Sequence, residues 1–145
     1  MKKLFLIVLL AVSFNAQAFD ECLSGSFFDP TRDGEGLNIE PVGEKGLLAY
    51  FYTFANFDRI WYTMLGDTTL TMYTTVVLDD VDFITKTVAV GAAEIEFLNN
   101  NAMYFSYQIL LDYDERSGEF EVCTRDYCTG SHLYKRLTQP IACDK

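Results

Sequence analysis

The chain has 145 residues, 21 Asp and Glu against 11 Lys and Arg, four Cys, a single His and 15% aromatic residues. A net charge of −10 excludes the phosphate-binding surface of a nucleic-acid protein and the basic patch that anchors a protein on anionic lipid. Half of the residues are apolar and the mean hydropathy is +0.07, which excludes a disordered acidic tail and predicts a folded core.

The first element is a leader. Lys2 and Lys3 precede an uninterrupted apolar run from Leu4 to Val12, and Ala16-Gln17-Ala18 offers small residues where a signal peptidase reads. That run is too short for a membrane anchor, which needs about 20 apolar residues. Residues 1–18 are predicted to be a signal peptide cleaved after Ala18, and residues 19–145 a single domain in the periplasm or secreted beyond it. Losing the two leader lysines takes the charge from −10 to −12. Cys22 lies beyond the cleavage point, so a lipoprotein is not expected.

Export gives the cysteines a meaning. Cys22, Cys123, Cys128 and Cys143 are an even number in an oxidising compartment, where disulfides form. Cys123 and Cys128 enclose a hairpin-sized loop, and Cys22 and Cys143 lie near the two ends of the domain, which are often neighbours. Cys123–Cys128 and Cys22–Cys143 are therefore the expected bridges. A zinc site would want C-x-x-C spacing or a second imidazole, and the sequence has neither.

Strand follows strand thereafter. Aromatic and aliphatic runs cover Gly46 to Phe54 and Arg59 to Leu65, with a polar break at Asn56 to Asp58. Leu70 to Leu78 is rich in β-branched residues. Val88 to Phe97 alternates toward its end, and Ala102 to Leu111 sets Met103, Phe105, Tyr107, Ile109 and Leu111 against Tyr104, Ser106 and Gln108. Asn99-Asn100-Asn101 supplies the turn between them. Glu119 to Cys123 and Ser131 to Leu137 are expected to pair with each other. No stretch has helical periodicity. This is an all-β antiparallel meander, which hides its edges best as a small up-and-down β-barrel, with a β-sandwich as the alternative. A barrel of this size either packs its own interior or holds one small ligand.

The stretch Ser24 to Glu40, SGSFFDPTRDGEGLNIE, resembles the opening segment of a family of uncharacterised exported bacterial domains, Gly-x-Trp-Trp/Tyr-Asp-Pro-x-Arg-x-Gly-x-Gly. Ala49 to Phe54, Arg59 to Tyr62, Val90 to Phe97 and Arg136-Leu137-Thr138 are similar to later strands of that family. Phe27 and Phe28 stand where it usually has Trp-Trp or Trp-Tyr. The resemblance implies a β-rich extracytoplasmic module and carries over no catalytic residue.

Within that segment Asp29, Asp33 and Glu35 could bind a hard cation. Turn chemistry is the stronger reading: Asp29-Pro30 initiates, Gly34 and Gly36 take unusual backbone angles, and Arg32 neutralises the carboxylates. Asp112 to Gly118 begins like a calcium loop but places Arg116 where a ligand belongs, so a solvated hairpin tip is expected. Asp79, Asp80 and Asp82 read as another acidic loop. His132 is the only imidazole base, its neighbour Ser131 points to the opposite strand face, and it reads as a surface residue.

The aromatics remain. Tyr50 and Tyr52 share one face of a strand, and Phe51 points the other way with Leu47 and Ala49. Trp61 opposes Ile60 and Tyr62. Tyr50, Tyr52, Trp61 and Tyr62 are the candidate binding residues, because Tyr and Trp join large contact area to a polar handle. No catalytic residue, metal or cofactor is assigned. The expected function is binding by a monomer, the partner being an unknown protein or a small apolar or aromatic ligand, with no nucleic acid and no membrane span. Inhibition of a cationic hydrolase in the periplasm is the alternative, and carboxylate-based hydrolysis a further one.

Overall fold

The computed structural model describes residues 21–44, 46–55, 58–79, 84–114 and 116–138. The expected leader and cleavage site, Asp80, Asp82 and Cys143 therefore lie outside the described residues. The described residues form two 3-10 turns, Glu21–Leu23 and Asp126–Cys128, and ten strands: β1 Gly25–Phe28, β2 Gly36–Val42, β3 Gly46–Ala55, β4 Asp58–Gly66, β5 Thr69–Asp79, β6 Ile84–Asn99, β7 Ala102–Ile109, β8 Leu111–Asp114, β9 Glu119–Val122 and β10 Thr129–Arg136. β1 to β7 run up and down in sequence order, and β10 pairs with both β7 and β1, closing an eight-stranded antiparallel barrel.

Alternation builds the interior. Leu47, Ala49, Phe51 and Thr53 of β3 are buried, as are Met103, Phe105, Tyr107 and Ile109 of β7, and the residues between them face out or lie half-buried. On β6 the inward set changes parity, from Val90 to Ala93 and Ile95. A bulge opposite Met72 and Tyr73 makes the switch, and Gly91 permits it, because a Cβ there would stand 2.1 Å from the Gln108 carbonyl oxygen. Aromatic rings fill the centre. Phe51 lies 4.9 Å from Tyr107 and 5.0 Å from Phe105, and stacks on Tyr62 at 6.1 Å, while Tyr134 meets Phe105 edge-on.

The closing seam is short. Only Phe27 opposite Arg136 and Phe28 opposite Lys135 pair β1 with β10. Arg136 reinforces it: Nη1 donates to the Ser24 carbonyl at 2.7 Å and Nη2 to the Cys22 carbonyl at 2.6 Å, while Nε donates to the Asn100 carbonyl. The guanidinium covers the Phe27 ring at 4.7 Å.

One pairing expected from the sequence does not form. β9 pairs with β8 in a separate two-stranded sheet, and not with β10. Both edges of β10 are committed to closing the barrel, so the β8–β9 hairpin stands outside the ring, held by Tyr113 against Phe120. The strand read as running through Leu111 also breaks, because Leu110 leaves β7 to bond Val90 and Cys123 through its backbone. The Cys123–Cys128 disulfide is present and ties this hairpin to the start of β10 through a 3-10 turn. Cys22 is no free thiol.

Candidate functional site

Between β1 and β2 the chain does not simply turn; it folds back against the barrel mouth. Asp29 accepts hydrogen bonds on Oδ1 from the Thr31 N–H at 2.8 Å and the Thr31 hydroxyl at 2.6 Å, as an Asp-Pro turn should. Gly34 sits at φ +80° beneath the Phe54 ring, and Gly36 beneath the Tyr52 ring, so close that a Cβ at either would meet ring carbon at 2.4 Å. The two glycines thus let strand β3 lay its aromatics over the loop.

The underside of this loop carries charge inward. Asp29 and Glu35 are 3% and 4% exposed, unusually low for carboxylates. Glu35 Oε1 accepts the Tyr134 hydroxyl at 2.5 Å, and Oε2 accepts the Thr53 hydroxyl at 2.7 Å and faces the Arg32 guanidinium at 3.1 Å. The same Arg32 nitrogen lies 3.3 Å from His132 Nε2. On the other side of the ring, His132 Nδ1 stands 3.2 Å from Asp29 Oδ2. Guanidinium can only donate, so the network assigns Nε2 as acceptor and places the imidazole proton on Nδ1.

The surroundings shift several groups. Burial would raise the Asp29 carboxyl, but the Thr31 hydrogen bonds, with His132 and Arg32, more than offset it and hold it below its ordinary range. Burial would lower Arg32, and Tyr107 and Glu35 more than offset that. Tyr134 is pushed far up by burial and by donating to Glu35. Tyr107 is raised by burial, with Arg32 offsetting part of it, although its hydroxyl is not aligned for a hydrogen bond. At the β8–β9 hairpin, Tyr127 donates to Asp112, and burial together with that carboxylate pushes it up to about 12.

This cluster was only half legible in the sequence. The neutralising role of Arg32 stands in the turn reading, and Asp33 is exposed and takes no part. His132, read as a surface residue, instead points inward and is joined to residues a hundred positions away. The signal was available, since His132 shares strand parity with buried Tyr134.

The aromatic candidates divide between two faces. Tyr52 and Trp61 are cross-strand partners on the outer face, with ring centroids 5.3 Å apart, and Trp61 is 62% exposed. Tyr50 lies half-buried on that face. Tyr62 does not join them: it is 3% exposed, packs against Phe51 inside the barrel, and burial drives its phenol well above the usual range, assisted by Asp112 and Tyr127. Phe54 extends the outer stripe. Between stripe and loop lies a cleft of about 270 Å³ lined by Phe28, Asp29, Pro30, Arg32, Glu35 and Tyr52, among others.

No family model, no curated protein and no solved structure matches the chain. Among the described residues no helix is long and apolar enough to cross a membrane.

Proposed function

We propose that this chain is an exported binding domain that engages a basic protein through the outer face of β3 and β4, with Tyr52 and Trp61 at the centre of contact. One observation carries the reading: the largest aromatic side chain stands in solvent against a second ring. The core positions that a ligand-carrying barrel would leave vacant are occupied by Phe51, Phe105, Tyr107 and Tyr134, which favours recognition at the surface over a small apolar ligand inside. A net charge of −10 favours a basic partner, by steering its approach. The signal-like leader, the disulfide, and the resemblance of Ser24 to Glu40 to exported domains support the periplasm or the medium as the place of action. A cationic hydrolase is the partner type this charge suits best, and binding would then inhibit it.

The test compares immobilised wild type with the Tyr52→Ala/Trp61→Ala variant in envelope extract. The wild type is expected to retain basic proteins that elute as salt rises, and the variant to lose them with its melting temperature nearly unchanged. Retention of the same proteins by a folded variant, or no enrichment of basic proteins, would defeat the reading.

A further inference from the structure

The loop cluster has a use that surface recognition does not require. Asp29, Glu35 and His132 each bring one donor atom to within 4.8 Å of the others, two carboxylate oxygens and an imidazole nitrogen. Asp29 Oδ2 is buried, stands 3.2 Å from His132 Nδ1, and yet makes no hydrogen bond with it or with anything else. A hydrogen-bonded pair at that distance would be aligned. Two ligands of one ion are held about 3.0–3.4 Å apart by metal–ligand distances near 2.0–2.1 Å, and point at the ion rather than at each other. The remaining valences are already tied down. Thr31 holds Asp29 by Oδ1 only, leaving Oδ2 free, and Thr53 and Tyr134 fix the Glu35 carboxylate, as outer-shell partners fix the ligands of metal sites. The positive charge that Glu35 and His132 now face belongs to Arg32, whose side chain is 35% exposed and lines the open cleft.

We propose that Asp29, Glu35 and His132 form a divalent transition-metal site of the zinc class, and that Arg32 is a resident cation which the metal displaces into the cleft. Mixed nitrogen and oxygen donors suit zinc and its neighbours, whereas calcium takes oxygen alone. As Arg32 leaves, Nε2 loses its donor and carries the imidazole proton, and the Nδ1 lone pair turns to the ion. The charges close as well: Asp29, Glu35 and a dication sum to zero, with water filling the open positions. The metal would lock the loop to β10 in place of the ion pair. No described cysteine is a free thiol, so none competes for the metal.

Arg32→Gln is the deciding variant, because a metal site and a purely structural network respond to it oppositely. Isothermal titration with zinc chloride is expected to give one site per chain in the wild type. Arg32→Gln should bind about tenfold or more tightly once the competing charge is gone, and melt higher with zinc than without. His132→Gln and Asp29→Asn, shown to be folded by circular dichroism, should each lose at least tenfold. His132 is the chain's only histidine, so its imidazole proton signals should shift on zinc addition in wild type and Arg32→Gln. Cobalt chloride should give visible bands in Arg32→Gln that zinc abolishes, and calcium chloride should leave the imidazole signals in place. The proposal falls if Arg32→Gln binds no zinc, if it binds no more tightly than wild type, or if one-to-one binding leaves the imidazole signals unmoved. It falls equally if binding persists at full strength in folded His132→Gln.

Discussion

Phe51→Ala is the most direct trial of the barrel's packing. The ring is fully buried and touches three others, Tyr107, Phe105 and Tyr62, at centroid distances of 4.9, 5.0 and 6.1 Å. Removing a buried Phe costs about 3–5 kcal/mol, the transfer term plus the void left where neighbours cannot collapse. Collapse is poor here, because the facing rings are fixed on two strands of a closed sheet, Tyr62 on β4 and Phe105 and Tyr107 on β7, and none can advance without dragging its strand. The upper part of that range is therefore expected, about 4–5 kcal/mol. Tyr50 is the control, one residue earlier on the same strand and half-buried on the opposite face; its truncation should cost below about 1.5 kcal/mol. Urea unfolding followed by far-ultraviolet circular dichroism measures both. With a slope of about 2 kcal/mol/M, Phe51→Ala should lower the midpoint by about 2 M and Tyr50→Ala by less than about 0.8 M. Equal losses at the two positions, or a Phe51→Ala loss below about 1.5 kcal/mol, would refute the inward and outward assignment of β3.

Tyr134→Phe keeps the ring but withdraws the hydroxyl from a buried carboxylate; it should cost about 1.5–3 kcal/mol by urea unfolding, and a cost near zero would mean that Thr53 and Arg32 satisfy Glu35 alone. Stability should fall at both extremes of pH. Asp29 is depressed in the fold, so its contribution is present above its ordinary value of 3.8 and lost as pH falls through the lower folded value. Tyr62 and Tyr134 are raised, so theirs is complete below 10.0 and lost as pH climbs from there toward their folded values. Melting temperatures from about pH 2 to 11 check the profile, and a stability that did not fall below about pH 3.8 or above about pH 10 would contradict it.

Much of the barrel is legible in the residues because a half-buried strand must alternate. Met103, Phe105, Tyr107 and Ile109 announce β7 in this way, and Leu47, Ala49 and Phe51 announce β3. Where alternation fails, the reading fails with it. The bulge at Val90 and Gly91 reverses parity within β6 for a reason that lies on β5 and β7. β8 and β9 carry good strand residues, but whether they join the ring depends on which edges β10 has left, a property of closure that no local pattern holds. The aromatic stripe was legible by parity as far as Tyr52 and Trp61, and the same parity sets Tyr62 apart from them. The charged cluster was harder. Asp29, Arg32 and Glu35 read well as a turn, and that is what their backbone forms. Their joint service with His132 is set by the approach of β1 to β10, and a contact across a hundred residues leaves little local trace.

The seam between β1 and β10 also sets the order in which the molecule can assemble. β2 to β7 meet through neighbouring hairpins, so their contacts are local and can form early. β1 waits with one side unpaired until Arg136 arrives from the far end of the chain. Loop-closure entropy grows only slowly with length, so the wait costs little free energy, but it places the search for the right two-residue register late and makes it slow. Until then the sheet is open along β1 and β7, two free edges able to recruit strands from other chains. The Arg136 contacts with the Ser24 and Cys22 carbonyls act at that last step. They convert a marginal pairing into a latch, and the interval before it closes is when the nascent barrel is most exposed to self-association.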